Sequence, residues 1–325
     1  MKQNIMKINV KTLILVGIAI TMSMSLPIYA YGPGDTEQTY FESETTNTTS
    51  GEVVGVAEDE SKVVVNIPKQ ATHYNFYYEQ LNDTEKLYYI RILSAIIENK
   101  DTCDVGCVPL ETVYKVLTAV YNDNPEIVSP DVYKFSQHGY EGEEQMITYF
   151  TGLTEESVNE FNQCKDLASL ALGEIYSTLD GDYSQQNIVK HIYDYLAMNV
   201  DYDLSVANNQ DVRSVFFSHR SICAGYAKAF QYLCNLAGVD CTIIVGYADG
   251  GIGLQNHAWN LVRFDDNTFR YYDVTFGDSY NNKAINYDYY DSPTNFANHF
   301  VQDNLIGETS MEIGTPLWFA YPNAN

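Results

Sequence analysis

Between Ser221 and Tyr247 the sequence SICAGYAKAFQYLCNLAGVDCTIIVGY changes its hydrophobic period once, from helical to extended. Tyr226, Phe230, Leu233 and Ala237 recur at i, i+4, i+7 and i+11, which places them on one helical stripe. Gly238 supplies the residue that ends such a helix. The next run, Cys241-Thr-Ile-Ile-Val-Gly-Tyr, is rich in β-branched residues and reads as a strand. Asp249-Gly-Gly turns it. Asn256 to Phe264 and Thr268 to Val274 then form a hairpin around Asp265-Asp-Asn267.

The start of that helix carries chemistry. Ser221 is a good N-cap, which puts Cys223 in the first turn, where free backbone N–H groups and the positive end of the helix dipole favour a thiolate. Gly225 leaves room for a close approach. A base and its orienting group are found on the strands. His257 and Trp259 share one strand face, and Asp273 ends the next strand. If Phe264 pairs with Thr268, Trp259 faces Asp273 and His257 is its diagonal neighbour on the same face. A slip of one residue would turn Asp273 away. Cys223 would then be the nucleophile, His257 the general base and acid, and Asp273 the group that orients the imidazole. The oxyanion would find N–H groups at the helix start. Taken singly, each residue also fits a structural role: a buried thiol, a locally bonded histidine, a strand-end turn former. Their order and context favour the catalytic reading.

The rest of the chain bounds the setting. With 325 residues, 45% of them apolar, it can build one or two cored domains. Lys2, Lys7 and Lys11 precede the apolar run Leu13 to Ile20, and PIYA closes before Tyr31, so residues 1–30 read as a secretory signal peptide cut after Ala30. The expected location is extracellular, with no membrane association after cleavage. Cleavage removes those lysines and no acid, so the formal charge of -25 becomes still more negative. Such a chain does not bind nucleic acid by neutralising phosphates. Residues 31–70 are acidic and aperiodic and read as a disordered linker. Residues 71–152 read as a mainly helical accessory domain. Asn82-x-x-Glu85 makes a capping signal, Leu87, Ile90, Leu93 and Ile97 follow at helical spacing, and a second helix covers Leu110 to Tyr121. Residues 153–325 hold helices from Leu153 toward Tyr176 and from Gln186 to Asn199, then a long connection to Arg220 with no clear period. The polar, aromatic segment after Asp278 takes no clear assignment.

Export permits disulfides. Cys103 with Cys107, and Cys234 with Cys241, are spaced so that either pair could form one. Cys103-x-x-x-Cys107 is also half of a zinc spacing, but no second ligand pair follows, and no metal or other cofactor is expected.

Four segments resemble the transglutaminase-like superfamily of papain-type α+β proteins, in its secreted bacterial form: KHIYDYLAMNVDYD (190–203), SICAGYAKAFQYLCNLAGVDCTIIVGY (221–247), NHAWNLVRF (256–264) and YYDVTFGD (271–278). The resemblance puts the family's Cys, His and Asp on Cys223, His257 and Asp273. Ser221 stands where many relatives have Gly. The resemblance implies a papain-like core and an enzyme that acts on amide bonds of proteins or peptides through a thioester, passing the acyl group to water or to an amine. The partners would be protein or peptide substrates, such as cell-surface or cell-wall proteins. The alternative is a non-catalytic binding module on the same scaffold.

Overall fold

A computed structural model describes residues 20–24, 75–128, 133–138, 146–278, 284–302 and 317–322. The linker expected at 31–70 lies outside them, as does the expected signal peptide apart from Ile20–Met24, which forms strand β1. Helix α1 (Asp83–Ile97) opens with the capping box read from the sequence: Asn82 Oδ1 accepts from the Glu85 N–H and Glu85 accepts from the Asn82 N–H. Strand β2 (Thr102–Cys107), helix α2 (Leu110–Asp123), β3 (Tyr133–His138) and β4 (Met146–Phe150) follow. The sheet order is β1-β3-β4-β2, all antiparallel. β2, β3 and β4 pair among themselves, so cleavage after Ala30 would remove only the edge strand.

The second half contributes α3 (Glu155–Ser177), α4 (Gln185–Asn199), β5 (Asp201–Tyr202), α5 (Val212–Ser218), β6 (Arg220–Ser221) and α6 (Cys223–Leu236). Next come β7 (Asp240–Asp249), β8 (Leu254–Arg263), β9 (Phe269–Tyr272), the short α7 (Val274–Gly277) and β10 (His299–Val301). Thr154 caps α3 and Ser184 caps α4, each through a bond from a backbone N–H in the first turn. The long connection before Cys223 is not structureless. Asp211 accepts from the Arg213 N–H and starts α5, a cap followed by too few apolar residues to show a period.

Helix α6 is the pivot of the fold. It was expected to show one apolar stripe, yet every residue from Cys223 to Cys234 is buried, Lys228 and Gln231 included. Two cores explain this. Cys223 and Ala227 face the first, which holds Ile243, Ile244 and Trp259 of the β10-β7-β8-β9 sheet together with the N-terminal helices. Tyr226, Phe230 and Leu233 face the second, built with α3, α4 and α5. A helix enclosed on both sides is apolar nearly all round.

The N-terminal region shares the first core. The Tyr77 O–H donates to the Ile243 carbonyl at 2.6 Å, and the Asp123 carboxylate accepts from the Tyr77 and Tyr78 N–H groups. The segment 317–322 ties the same surface down. The Phe319 ring lies 4.8 Å from the Tyr77 ring, and the Ala320 N–H donates to Gln80 Oε1 at 2.7 Å. This packing rotates α1 from the expected stripe. Tyr89, Ile92 and Ile96 are buried, while Ile97 is exposed.

All six cysteines are free, including both pairs considered from the spacing. Cys103 and Cys107 lie on strand β2, not in a polar turn, and the bulge between Asp104 and Gly106 leaves Cys103 buried and Cys107 exposed. Cys234 and Cys241 are in thiol–thiol contact inside the second core.

What approaches Gly225 is the chain's own connection. A Cβ there would lie 1.9 Å from Ser221 Oγ and 3.1 Å from the Asn209 and Asp211 carbonyl oxygens. Ser221 Oγ is itself fixed by Ser214 Oγ at 2.7 Å and the Asn209 carbonyl at 3.0 Å. Overpacking of this kind costs about 1–3 kcal/mol or more. In urea unfolding, Gly225→Ala should lower the midpoint. Gly173→Ala, in α3 with open space around it, should raise it slightly. Equal midpoints for the two variants would refute the close-approach argument.

Candidate active site

The hairpin register is the one that brings His257 toward Asp273. The Phe264 N–H donates to the Thr268 carbonyl at 2.9 Å, and Asn260 pairs with Tyr272. One further step sets Trp259 opposite Asp273. Strand β9 stops at Tyr272, earlier than the expected Val274, because Asp273 turns the chain. Its Oδ1 accepts from the Phe276 N–H at 3.1 Å and starts α7. Asp273 therefore does two jobs with one carboxylate. Oδ1 caps a helical turn, and Oδ2 accepts from His257 Nε2 at 2.7 Å.

With Nε2 committed to Asp273, Nδ1 is the ring nitrogen left for a second partner. That partner is Cys223, whose thiol is in hydrogen-bonding contact with the His257 side chain. The structure thus brings Cys223, His257 and Asp273 together as a chain of contacts. Cys223 is the first helical residue of α6, but the cap is not Ser221. The N-cap is Ile222, with no side-chain hydrogen bond, while Ser221 forms strand β6 and spends its hydroxyl on Ser214 and Asn209. No side chain at the cap thus competes for the first-turn N–H groups beside the thiol.

Burial sets the electrostatics. Cys223 is 1% exposed, His257 5% and Asp273 0%. Desolvation alone would push the imidazole toward its neutral form. The Asp273 carboxylate outweighs it, with a further contribution from Cys223, and His257 is raised to about 10. Burial likewise works to raise Asp273. His257, and then a second imidazole, overcome that and hold it well below the usual carboxylate range. The two shifts describe one interaction: a buried carboxylate–imidazolium pair.

The second imidazole belongs to His299, which the sequence reading missed. His299 Nε2 lies 3.0 Å from the same Asp273 Oδ2. It sits on three-residue β10, in a segment without usable periodicity, and only the pairing of β10 with β7 brings it here. Aromatic rings surround the pair. Phe276 stacks on His257 at 4.5 Å, and Trp259 packs edge-on to His299 at 4.9 Å.

His257, Asp273 and His299 also form the one group among the described residues with the spacing of a metal donor set, their ligand atoms lying within 4.8 Å of one another. Those atoms already bond to each other. A metal there would displace both N–H protons.

Residues 174–274 match the family model described as the transglutaminase-like superfamily. The chain carries a transglutaminase-like core. The matched segment runs from late α3 to the first residue of α7, so it contains Cys223, His257 and Asp273. Human kyphoscoliosis peptidase is 31% identical over 88 residues, which cover 23% of this chain and 13% of that protein. The mouse protein is 29% identical over 111 residues, covering 30% and 16%. The chain thus spans under a fifth of the length of the relatives it matches. Among solved structures, a TGase aligns with a TM-score of 0.33 at 18% identity, covering 48% of this chain and 47% of that one. The periplasmic domain of TgpA from Pseudomonas aeruginosa aligns with a TM-score of 0.27 at 16% identity, covering 41% and 55%. No helix among the described residues is long and apolar enough to cross a membrane.

The raised His257 value has a signed consequence for stability. A group whose folded pKa lies above its unfolded value of about 6.5 contributes fully below that value and loses its contribution as pH rises through the folded value. Stability in urea should therefore fall between pH 7 and about 10. His257→Gln should be less stable at pH 7 and should lack this part of the slope. Parallel pH profiles for the two proteins would contradict the buried ion pair.

Proposed function

We propose that this chain is an exported cysteine-dependent enzyme that acts on protein or peptide amide bonds through a thioester on Cys223. The observation that carries the reading is the contact chain from the Cys223 thiol through His257 to Asp273 at the start of α6.

The roles follow from the atoms. In the thiolate–imidazolium pair the Cys223 proton sits on His257 Nδ1, and Cys223 Sγ attacks the amide carbonyl carbon. The negative charge on the carbonyl oxygen is met by backbone N–H groups at the uncapped start of α6. The C–N bond breaks as His257 returns the proton to the leaving amine, and the acyl group stays on sulfur. Water or a second amine then attacks the thioester and gives its proton to His257, and the Cys223 thiolate leaves. Asp273 holds Nε2–H throughout, so that Nδ1 points at sulfur and the charged ring is stabilised. Hydrolysis and acyl transfer share each step up to the choice of second nucleophile.

One observation favours the rival reading, a non-catalytic binding module. Cys223 is 1% exposed, so a peptide reaches it only after its surroundings open. Assays of fluorescent-amine incorporation into casein, and of peptide release from the same protein, separate the cases. Under the enzymatic reading one or both give a signal, and Cys223→Ala lowers it by about 10³-fold or more. Asp273→Asn should cost about 10²–10⁴-fold while Cys223 stays in place. Activity that survives in Cys223→Ala would rule the mechanism out.

A further inference from the structure

Most of the polar contacts around Asp273 are explained by the three residues already described, but one is not. His299 places Nε2 3.0 Å from Asp273 Oδ2, the oxygen that holds His257 Nε2 at 2.7 Å. The carboxylate is thus held by three donors: two imidazoles on Oδ2 and the Phe276 N–H on Oδ1. His299 lies outside the matched segment 174–274 and is contributed by β10, the edge strand whose His299 pairs with Ala248 of β7.

The structure fixes His299 with some care. It is 3% exposed. Its Nδ1 lies 2.9 Å from Asn298 Oδ1, and the Asn298 amide is itself anchored, donating to the Asp249 carbonyl at 2.9 Å and to the Tyr289 hydroxyl at 3.2 Å. The Phe296 ring lies 4.9 Å from the imidazole, as does that of Trp259. Burial lowers the His299 pKa below its ordinary value against the pull of Asp273. An ionised carboxylate only accepts, so the His299 nitrogen that bonds Oδ2 carries a proton.

We propose that His299 is a positioning residue for the active site: its Nε2–H fixes the Asp273 carboxylate in the orientation that aims His257 at Cys223. The proposal rests on the active-site reading above. Its physical content is directional. Without His299 the carboxylate has one donor on each oxygen, His257 on Oδ2 and the Phe276 N–H on Oδ1, and can still rock about its Cα–Cβ and Cβ–Cγ bonds and carry the imidazole with it. A second donor on the same oxygen removes that freedom, because rotation would break both bonds. Misplacement of a reacting group by about 1 Å is worth on the order of a hundredfold in rate, so a neighbour that prevents it matters without touching substrate.

The test compares two nearly isosteric replacements in the full chain. Gln retains an N–H donor at the end of its side chain and Met does not. The rate of Cys223 alkylation by iodoacetamide at pH 6.5, read by mass spectrometry, reports the thiolate–imidazolium pair without a substrate. His257→Ala gives the floor. His299→Met should lower the rate by roughly tenfold toward that floor, the worth of one buried hydrogen bond to a charged group, and His299→Gln should restore most of it. Thermal melts of both variants show whether the fold is kept. Rates equal to wild type in both, or an equal fall in both with unchanged melting, would overturn the positioning role. If His299→Met does not fold, His299→Leu takes its place as the variant without a donor, and the same comparison with His299→Gln decides. A wild-type rate no faster than His257→Ala is a different failure, since it removes the active-site reading and the proposal with it.

Discussion

A carboxylate with no exposed surface is tolerable only when charge and hydrogen bonds replace the water it has lost. Asp273 is such a group, and much of the C-terminal half is arranged around it. The β8–β9 register delivers His257, the end of β9 turns so that the Phe276 N–H can reach Oδ1, and β10 delivers His299. Removing one partner of a buried pair of this kind typically costs about 3–5 kcal/mol, because the other charge is stranded. The same buried pair keeps His257 charged, which is the state that stabilises a neighbouring thiolate. Stability and the proposed chemistry therefore draw on one contact.

Helix α6 connects this pair to the rest of the molecule. Its Cys223 and Ala227 face the sheet and its Tyr226, Phe230 and Leu233 face the helical core, so its position is set from both sides. The connection before it presses on Gly225 through Ser221 and two backbone carbonyls. A thiol at the first position of a helix held this firmly has little freedom to drift from the imidazole. Interiors are close-packed, and small displacements there are resisted.

The sequence made legible those features that rest on local patterns. The Asn82–Glu85 capping box, the Gly238 stop and the Phe264–Thr268 pairing are each written within a few residues, and each is present. The register mattered most, because a period of two leaves only two faces to choose between. The features that escaped depend on distant partners. Ser221 looks like a cap in isolation, but Ser214 and Asn209 claim its hydroxyl. The seven residues of α5 are too few to show a period. The buried face of α1 is chosen by β2, α2 and the aromatic residues around Tyr77, not by its own apolar spacing. His299 could not be found from spacing at all, since its role exists only once β10 pairs with β7.

His257 is a buried imidazolium clamped by Asp273 beside Cys223. The most direct measurement is the ¹⁵N chemical shift of the His257 ring nitrogens across pH 6 to 11, in protein labelled at histidine and assigned with His257→Gln. Both nitrogens should stay protonated through neutral pH and titrate near 10. A neutral ring at pH 7.5, with a titration at or below about 6.5, the unperturbed value for histidine, would contradict it.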